Sequence, residues 1–281
     1  MIHPVKRIDA HQHFWKYDPH QYLWMDHSMS ILKQDYLPNQ LTPILQNHKM
    51  DGSIAVQARS IPQETDFLLN LAQSTSNILG VVGWIDLRSA HLQDALAQWH
   101  HQPLLKGFRH LIQDEPAPSA FLKDTAFNQG VKTILQAGKL YEIVVHEKDL
   151  SQVIQFCKQH DNGQLVLCHL GKPDLQKSSL REWRDKIAPL ATLSHVSCKV
   201  SGLITQAVWH RWDVDKLLPY INTALEIFGP KRLMFGSDWP VCLCAGTVNQ
   251  VYDLIEKAIT SLSTTEQHAI FGGNATRIYQ I

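Results

Sequence analysis

Apolar positions along this chain follow two alternating patterns. Short apolar runs bounded by turn residues fall at 7–13, 53–58, 79–86, 105–111, 141–146, 164–169, 196–202 and 232–237. Several are β-branched, such as Ile54-Ala55-Val56 and Val81-Val82. Others are unbroken, such as Ile143-Val144-Val145 and Leu165-Val166-Leu167. Unbroken apolar runs predict parallel strands covered on both faces. Between them, apolar residues recur at helical spacing. Examples are Leu92, Ala95, Leu96 and Trp99, then Phe127, Val131, Ile134 and Leu135 stopped by Gly138, then Leu217, Leu218, Ile221, Leu225 and Phe228 stopped by Gly229-Pro230. Eight strand–helix units in 281 residues predict one α/β domain over 1–281, a single (β/α)8 TIM barrel.

One stretch breaks the pattern. Residues 14–36 show no period but carry Phe14, Trp15, Tyr17, Tyr22, Trp24 and Tyr36. Long loops in compact domains are functional or disordered. The aromatic content argues for order, and for a lid-like loop after the first strand.

Barrels of this kind place their chemistry at the C-terminal ends of the strands. The first run ends His11-Gln12-His13. Residues two apart on a strand share a face, so both imidazoles aim at one point that could hold a metal, a water or a substrate oxygen. The last run ends Ser237-Asp238-Trp239-Pro240, and the sixth ends at His169 before Gly171 and Lys172. These give a candidate catalytic set of Asp238, His169, His11 and His13. His11, His13 and Asp238 are also candidate metal ligands, with His146 as a further ligand or a supporting donor. Arg109 and His110 close the fourth run, where alternation lets only one face inward. Gln57, Trp84, Gln113, Lys172, Ser201 and Trp239 complete the candidate substrate contacts. Blander readings exist for each. Asp238 could cap a helix, His169 could pack in the core, the tryptophans could be core, and Lys199 could lie along apolar surface.

Charge and cysteine content narrow the picture. The formal net charge is zero, which offers nothing to nucleic acid or to an anionic membrane. Five cysteines at irregular spacing read as reduced thiols in a cytoplasmic protein. Arg7 and Asp9 interrupt the apolar start at Val5 and Ile8, which argues against a signal peptide, and no run is long enough to span a bilayer. Of sixteen histidines, His100, His101 and His160 sit in polar helical contexts and read as surface.

Six segments together resemble a known family: IDAHQHFW (8–15), KGFRHLIQDEP (106–116), VLCHLGKPD (166–174), CKVSGLIT (198–205), FGSDWPVC (235–242) and GGNATRIY (272–279). They are similar, in order, to the amidohydrolase superfamily, in the branch of amidohydrolase-related lactonases of the L-fuconolactonase and L-rhamnonolactonase type. The resemblance implies the barrel, His11 and His13 as the first-strand pair, Asp238 as the catalytic aspartate, His169 as the sixth-strand histidine, and Arg109 with His110 at the substrate. No lysine matches the bridging carbamate of two-metal members. The implied cofactor is therefore one divalent ion, zinc foremost, or none. The implied activity is hydrolysis of a sugar-acid lactone, a small-molecule substrate. Decarboxylation or dicarboxylate-lactone hydrolysis is the alternative on the same fold. A non-catalytic sugar-acid-binding barrel would be expected to lack Asp238 or the His pair. A homo-oligomer is left open.

Overall fold

All eight apolar runs become strands. The computed structural model describes residues 6–281, so Val5 lies outside it. The strands are β1 (Ile8–Gln12), β2 (Gly52–Val56), β3 (Ile78–Gly83), β4 (Leu105–His110), β5 (Leu140–Ile143), β6 (Leu165–Leu167), β7 (Val196–Val200) and β8 (Leu233–Phe235). They pair in parallel in chain order, β1 to β8. After β8, the seam back to β1 is closed by a parallel bridge between Gln12 and Trp239. A helix follows each strand, as in a (β/α)8 barrel. The predicted helix stops hold: Gly229 ends the helix Val214–Phe228 with φ +73°, a conformation that only glycine adopts without strain.

The strands are shorter than the apolar runs, mostly at their C-terminal ends. Val144 and Val145 are buried but lie beyond the paired part of β5. The chain leaves the sheet there to build the barrel mouth.

Alternation sorts the strand side chains. Cys198, Val200 and Phe235 face the surrounding helices. Ile8, Ala10, Ile54, Val56, Val166 and Met234 form a separate apolar cluster with Ile278 and Tyr279 of the terminal helix Asn274–Tyr279. That cluster is the barrel interior, and the terminal helix closes its base. Each Ile, Val or Met of this cluster contributes about 1.5–3 kcal/mol by its burial.

The 14–36 segment is well packed. Trp15 and Tyr36 exchange backbone hydrogen bonds of 2.9 Å, and the Trp15 indole donates to the carbonyls of Leu32 and Gln34. The Trp15 ring meets those of Tyr22, Trp24 and Tyr36. Phe14 and Tyr36 both pack on Trp239, tying the segment to the end of β8.

One surface expectation is corrected. His100 and His101 are exposed, but His160 is buried, with Nε2 2.8 Å from Asn128 Oδ1. The helical-face reading failed because His160 is the cap residue that turns inward after the helix Leu150–Gln159. Burial, then nearby Lys132, pushes its pKa down to about 4. The unfolded chain takes up this proton near pH 6.5, the folded chain only near 4. Stability is therefore lost as pH falls through that window, by an amount on the order of 2–3 kcal/mol. His160→Gln, which keeps a donor for Asn128, should flatten the loss between pH 6.5 and 4.5 in urea titrations. An unchanged pH slope would contradict this.

Candidate active site

Barrel closure itself assembles the site. The Asp238 amide donates to the His11 carbonyl, and the His13 amide donates to the Trp239 carbonyl, both at 2.8 Å. These bonds bring the first strand's imidazoles and the last strand's carboxylate to one mouth. A second tie lies behind them, where Asp9 Oδ1 accepts from the amides of His11 and Ser237.

Strict alternation would not point His11 inward, because Ala10 already faces the interior. The register between β1 and β2 slips between Asp9 and Gln12, so two successive side chains serve the inside. Bulges commonly re-aim a side chain at a barrel rim in this way. Asp238 is aimed by an unusual backbone too, with φ +58°, and His169 has φ +55°. Positive φ in a non-glycine residue costs about 1–3 kcal/mol and clusters at functional sites.

Three imidazoles surround one carboxylate oxygen. Asp238 Oδ1 lies 3.5 Å from His13 Nε2, 3.8 Å from His11 Nε2 and 4.0 Å from His169 Nε2. The supporting contacts decide which ring nitrogens carry protons. His13 Nδ1 donates to the Val56 carbonyl at 2.7 Å, which turns Nε2 toward Asp238. His169 Nδ1 lies 2.9 Å from Ser201 Oγ, which can accept its proton. The His169 Nε2 lone pair then faces the carboxylate at 4.0 Å, beside His13 Nε2 at 3.5 Å. Such a ring suits a positively polarised occupant, either a divalent ion or the hydrogens of a water. His11, His169 and Asp238 each offer a donor atom within 4.8 Å of the others. Ligands about 2.05 Å from a tetrahedral ion sit roughly 3.4 Å apart, so the donor set fits one ion after small adjustments. His146 is exposed at the rim and belongs to no such group among the described residues.

Electrostatics keep the groups in complementary states. Burial would raise the Asp238 pKa, but His169 and His13 outweigh it and hold the carboxyl below its usual range. Burial pushes His169 down to about 3, so its ring is neutral at pH 7. Burial, then Lys199, His169 and Arg109, holds His11 well below its ordinary value.

Below this ring lies a buried polar layer. Lys199 Nζ is 2.7 Å from both oxygens of Glu142 and 3.1 Å from His11 Nδ1. Arg109 approaches His11 from the other side, Nη1 3.2 Å from Nε2, and is fixed by the side-chain and backbone oxygens of Gln57. Lys199 therefore does not lie along apolar surface. It is fully buried and ion-paired.

A cavity of about 330 Å³ opens above, the size of a small-molecule site. Its polar wall includes His13, Arg109, His169, Lys172, Asp238 and Gln113. Trp24 and Met29 of the 14–36 segment, with Trp209 and Val241, make an apolar wall. Other expected contacts fall elsewhere. Arg109 faces inward and His110 outward, as alternation requires. His110 and Trp84 bond each other beside Phe121 in a smaller neighbouring cavity. Trp239 is buried against Phe14 and Tyr36, Gln57 acts on Arg109, and Ser201 acts on His169.

Comparison with known proteins identifies the family. A sequence model of the amidohydrolase family matches residues 8–281. The chain belongs to the amidohydrolase family. This amidohydrolase is 44% identical over 285 residues to the L-fucono-1,5-lactonase of Burkholderia multivorans, covering 98% of this chain and 96% of that protein. Two crystal structures of an amidohydrolase from the same organism superpose on it. One, with bound HEPES, has a TM-score of 0.96 at 42% identity and covers 99% of this chain and 100% of that chain. The other, with bound zinc, has a TM-score of 0.95 at 43% identity and the same coverage.

Two further features of this amidohydrolase escaped the reading of its sequence. Glu142 sits inside a buried strand (Leu140-Tyr141-Glu142-Ile143), and an acid in such a run was a usable signal. Gly202 was the other. It has φ +61°, and a Cβ there would lie 2.5 Å from His169 Nδ1 and 3.0 Å from Asp238 Oδ2. Gly202→Ala should push these two groups apart and lower kcat at least tenfold while circular dichroism stays native. Retained kcat would show that their close approach is unimportant.

Proposed function

We propose that this chain hydrolyses a sugar-acid lactone of the L-fucono or L-rhamnono type to the aldonic acid, with Asp238 as general base. The observation that carries the reading is the convergence of three imidazoles and one ionised carboxylate at the floor of a sugar-sized cavity. The 44% identical relative named as an L-fucono-1,5-lactonase supports the substrate class.

In the mechanism, a water in the ring of His11, His13 and His169 presents a proton to Asp238 Oδ1. As its oxygen attacks the lactone carbonyl, Asp238 takes that proton. The developing oxyanion faces Arg109 and Lys172. Arg109 is pre-oriented by Gln57, so its charge needs no reorganisation during the reaction. The tetrahedral adduct then collapses, the ring C–O bond breaks, and the proton on Asp238 passes to the leaving alkoxide. Trp24 and Met29 exclude bulk water, which makes the 14–36 segment the lid of a single 1–281 catalytic domain. A divalent ion, zinc foremost, would be held by His11, His169 and Asp238, with His13 beside them, and would supply a bound water of lowered pKa.

Among the described residues, only one arginine, Arg109, lines the cavity. Arg59 is turned away and paired with Glu64. That favours a neutral sugar lactone over a dicarboxylate. The test is a pH-indicator assay across aldonolactones. Turnover of L-fucono-1,5-lactone with kcat/KM above about 10⁴ M⁻¹s⁻¹ is expected, within the usual enzyme range. Turnover of dicarboxylate lactones alone would refute the reading.

A further inference from the structure

His11 is the one imidazole of the ring whose Nδ1 is held by neither a backbone carbonyl nor a hydroxyl. His13 uses Val56 and His169 uses Ser201. Among the described residues, His11 Nδ1 meets only Lys199 Nζ. Lys199 Nζ in turn is ion-paired to both oxygens of Glu142. Glu142 Oε1 is shared with a third group, the hydroxyl of Tyr279, which donates to it at 2.6 Å. Tyr279 also sets its ring 5.6 Å from Lys199 Nζ. All four side chains are buried.

We propose that Tyr279, in the terminal helix at the closed base of the barrel, is a positioning residue that fixes the His11 ring at the opposite, catalytic mouth through Glu142 and Lys199. A lysine ammonium on a flexible four-carbon stem has no preferred place in an apolar barrel. Here it is fixed because the Glu142 carboxylate is fixed, and a carboxylate with its oxygens shared between two donors cannot rotate freely. The hydroxyl of Tyr279 supplies the second donor from below, and Cys168 Sγ adds a weak third at 3.3 Å. Without that hydroxyl, Glu142 can turn toward Lys199 and draw the ammonium away from His11 Nδ1. The helix Asn274–Tyr279 carries Tyr279 into the interior because Ala275, Ile278 and Tyr279 all belong to the interior apolar cluster. The chain terminus thus acts on the chemistry without touching substrate.

The kinetic arm of the test rests on the lactonase reading, and the spectroscopic arm does not. Tyr279→Phe removes one hydroxyl and keeps the aromatic ring. It should lower kcat about tenfold, leave KM within twofold, and keep the folded fraction unchanged. In protein labelled with ¹⁵N-histidine, the His11 ring-nitrogen signals should shift while those of His13 and His169 stay. Glu142→Gln should give the same signature, and adding Tyr279→Phe to it should cost no further kcat. A kcat within twofold of wild type, a His11 signal that does not move, or an undiminished second loss in the double variant each overturns the proposal. If the wild-type chain opens no lactone, the functional reading fails, and the His11 signal alone decides this inference. Should Tyr279→Phe not fold, Glu142→Gln carries both arms.

Discussion

Replacing Asp238 by Asn lowers kcat/KM for the lactone by about 10³-fold and leaves the fold intact. The expectation follows from charge. The Asp238 carboxylate sits among three imidazoles, and His169 and His13 hold it below its ordinary pKa despite burial. An amide of the same shape cannot take a proton from water, and general bases typically contribute 10²- to 10⁴-fold. KM should change little, since Arg109, Lys172 and the aromatic wall remain. The loss should also persist across pH 6 to 9, because no other group in the ring stands ready as base. His169 is neutral, but with its pKa pushed down to about 3 it is too weak a base to take the proton. Turnover within a few-fold of wild type, with folding verified, would remove Asp238 from the mechanism.

The second large effect belongs to the buried layer. Lys199→Met leaves Glu142 as an unpaired charge inside the barrel. Breaking such a pair costs about 3–5 kcal/mol, whereas removing both charges is often close to neutral. Urea denaturation of Lys199→Met should therefore show a loss of that order. Lys199→Met with Glu142→Leu should recover most of the stability, because the site is then apolar and continuous with the interior cluster of Ile54, Val56 and Val166. Activity should not recover with it, since His11 Nδ1 still lacks a partner. A single variant that loses less than about 1 kcal/mol would mean that the pair is hydrated and not the buried contact described here.

Much of the architecture was legible because parallel barrel strands are buried on both faces and read as unbroken apolar runs. The strand ends were less so. Val144 and Val145 look like strand, yet they lie past the last paired residue of β5, where the mouth takes over. The His pair and Asp238 were visible from their places at the first and last strand ends. The means of aiming them was not, because a slip of register between Asp9 and Gln12 and a left-handed Asp238 leave no trace in a hydropathy pattern. Arg109 against His110 was decidable only once alternation was anchored in coordinates. Trp84 and Trp239 were named for their chemistry, but both found aromatic or histidine neighbours away from the cavity. Residues of the apolar wall, such as Trp24, Met29 and Trp209, come from irregular segments whose path depends on packing across the mouth.

The most direct test is a crystal structure of Asp238→Asn holding intact lactone. The account predicts the carbonyl carbon one water away from residue 238, with that water inside the ring of His11, His13 and His169. It also places the carbonyl oxygen toward Arg109 and Lys172. A lactone bound with its carbonyl toward Trp209 and the solvent, or seated in the neighbouring cavity beside Trp84 and His110, would contradict it.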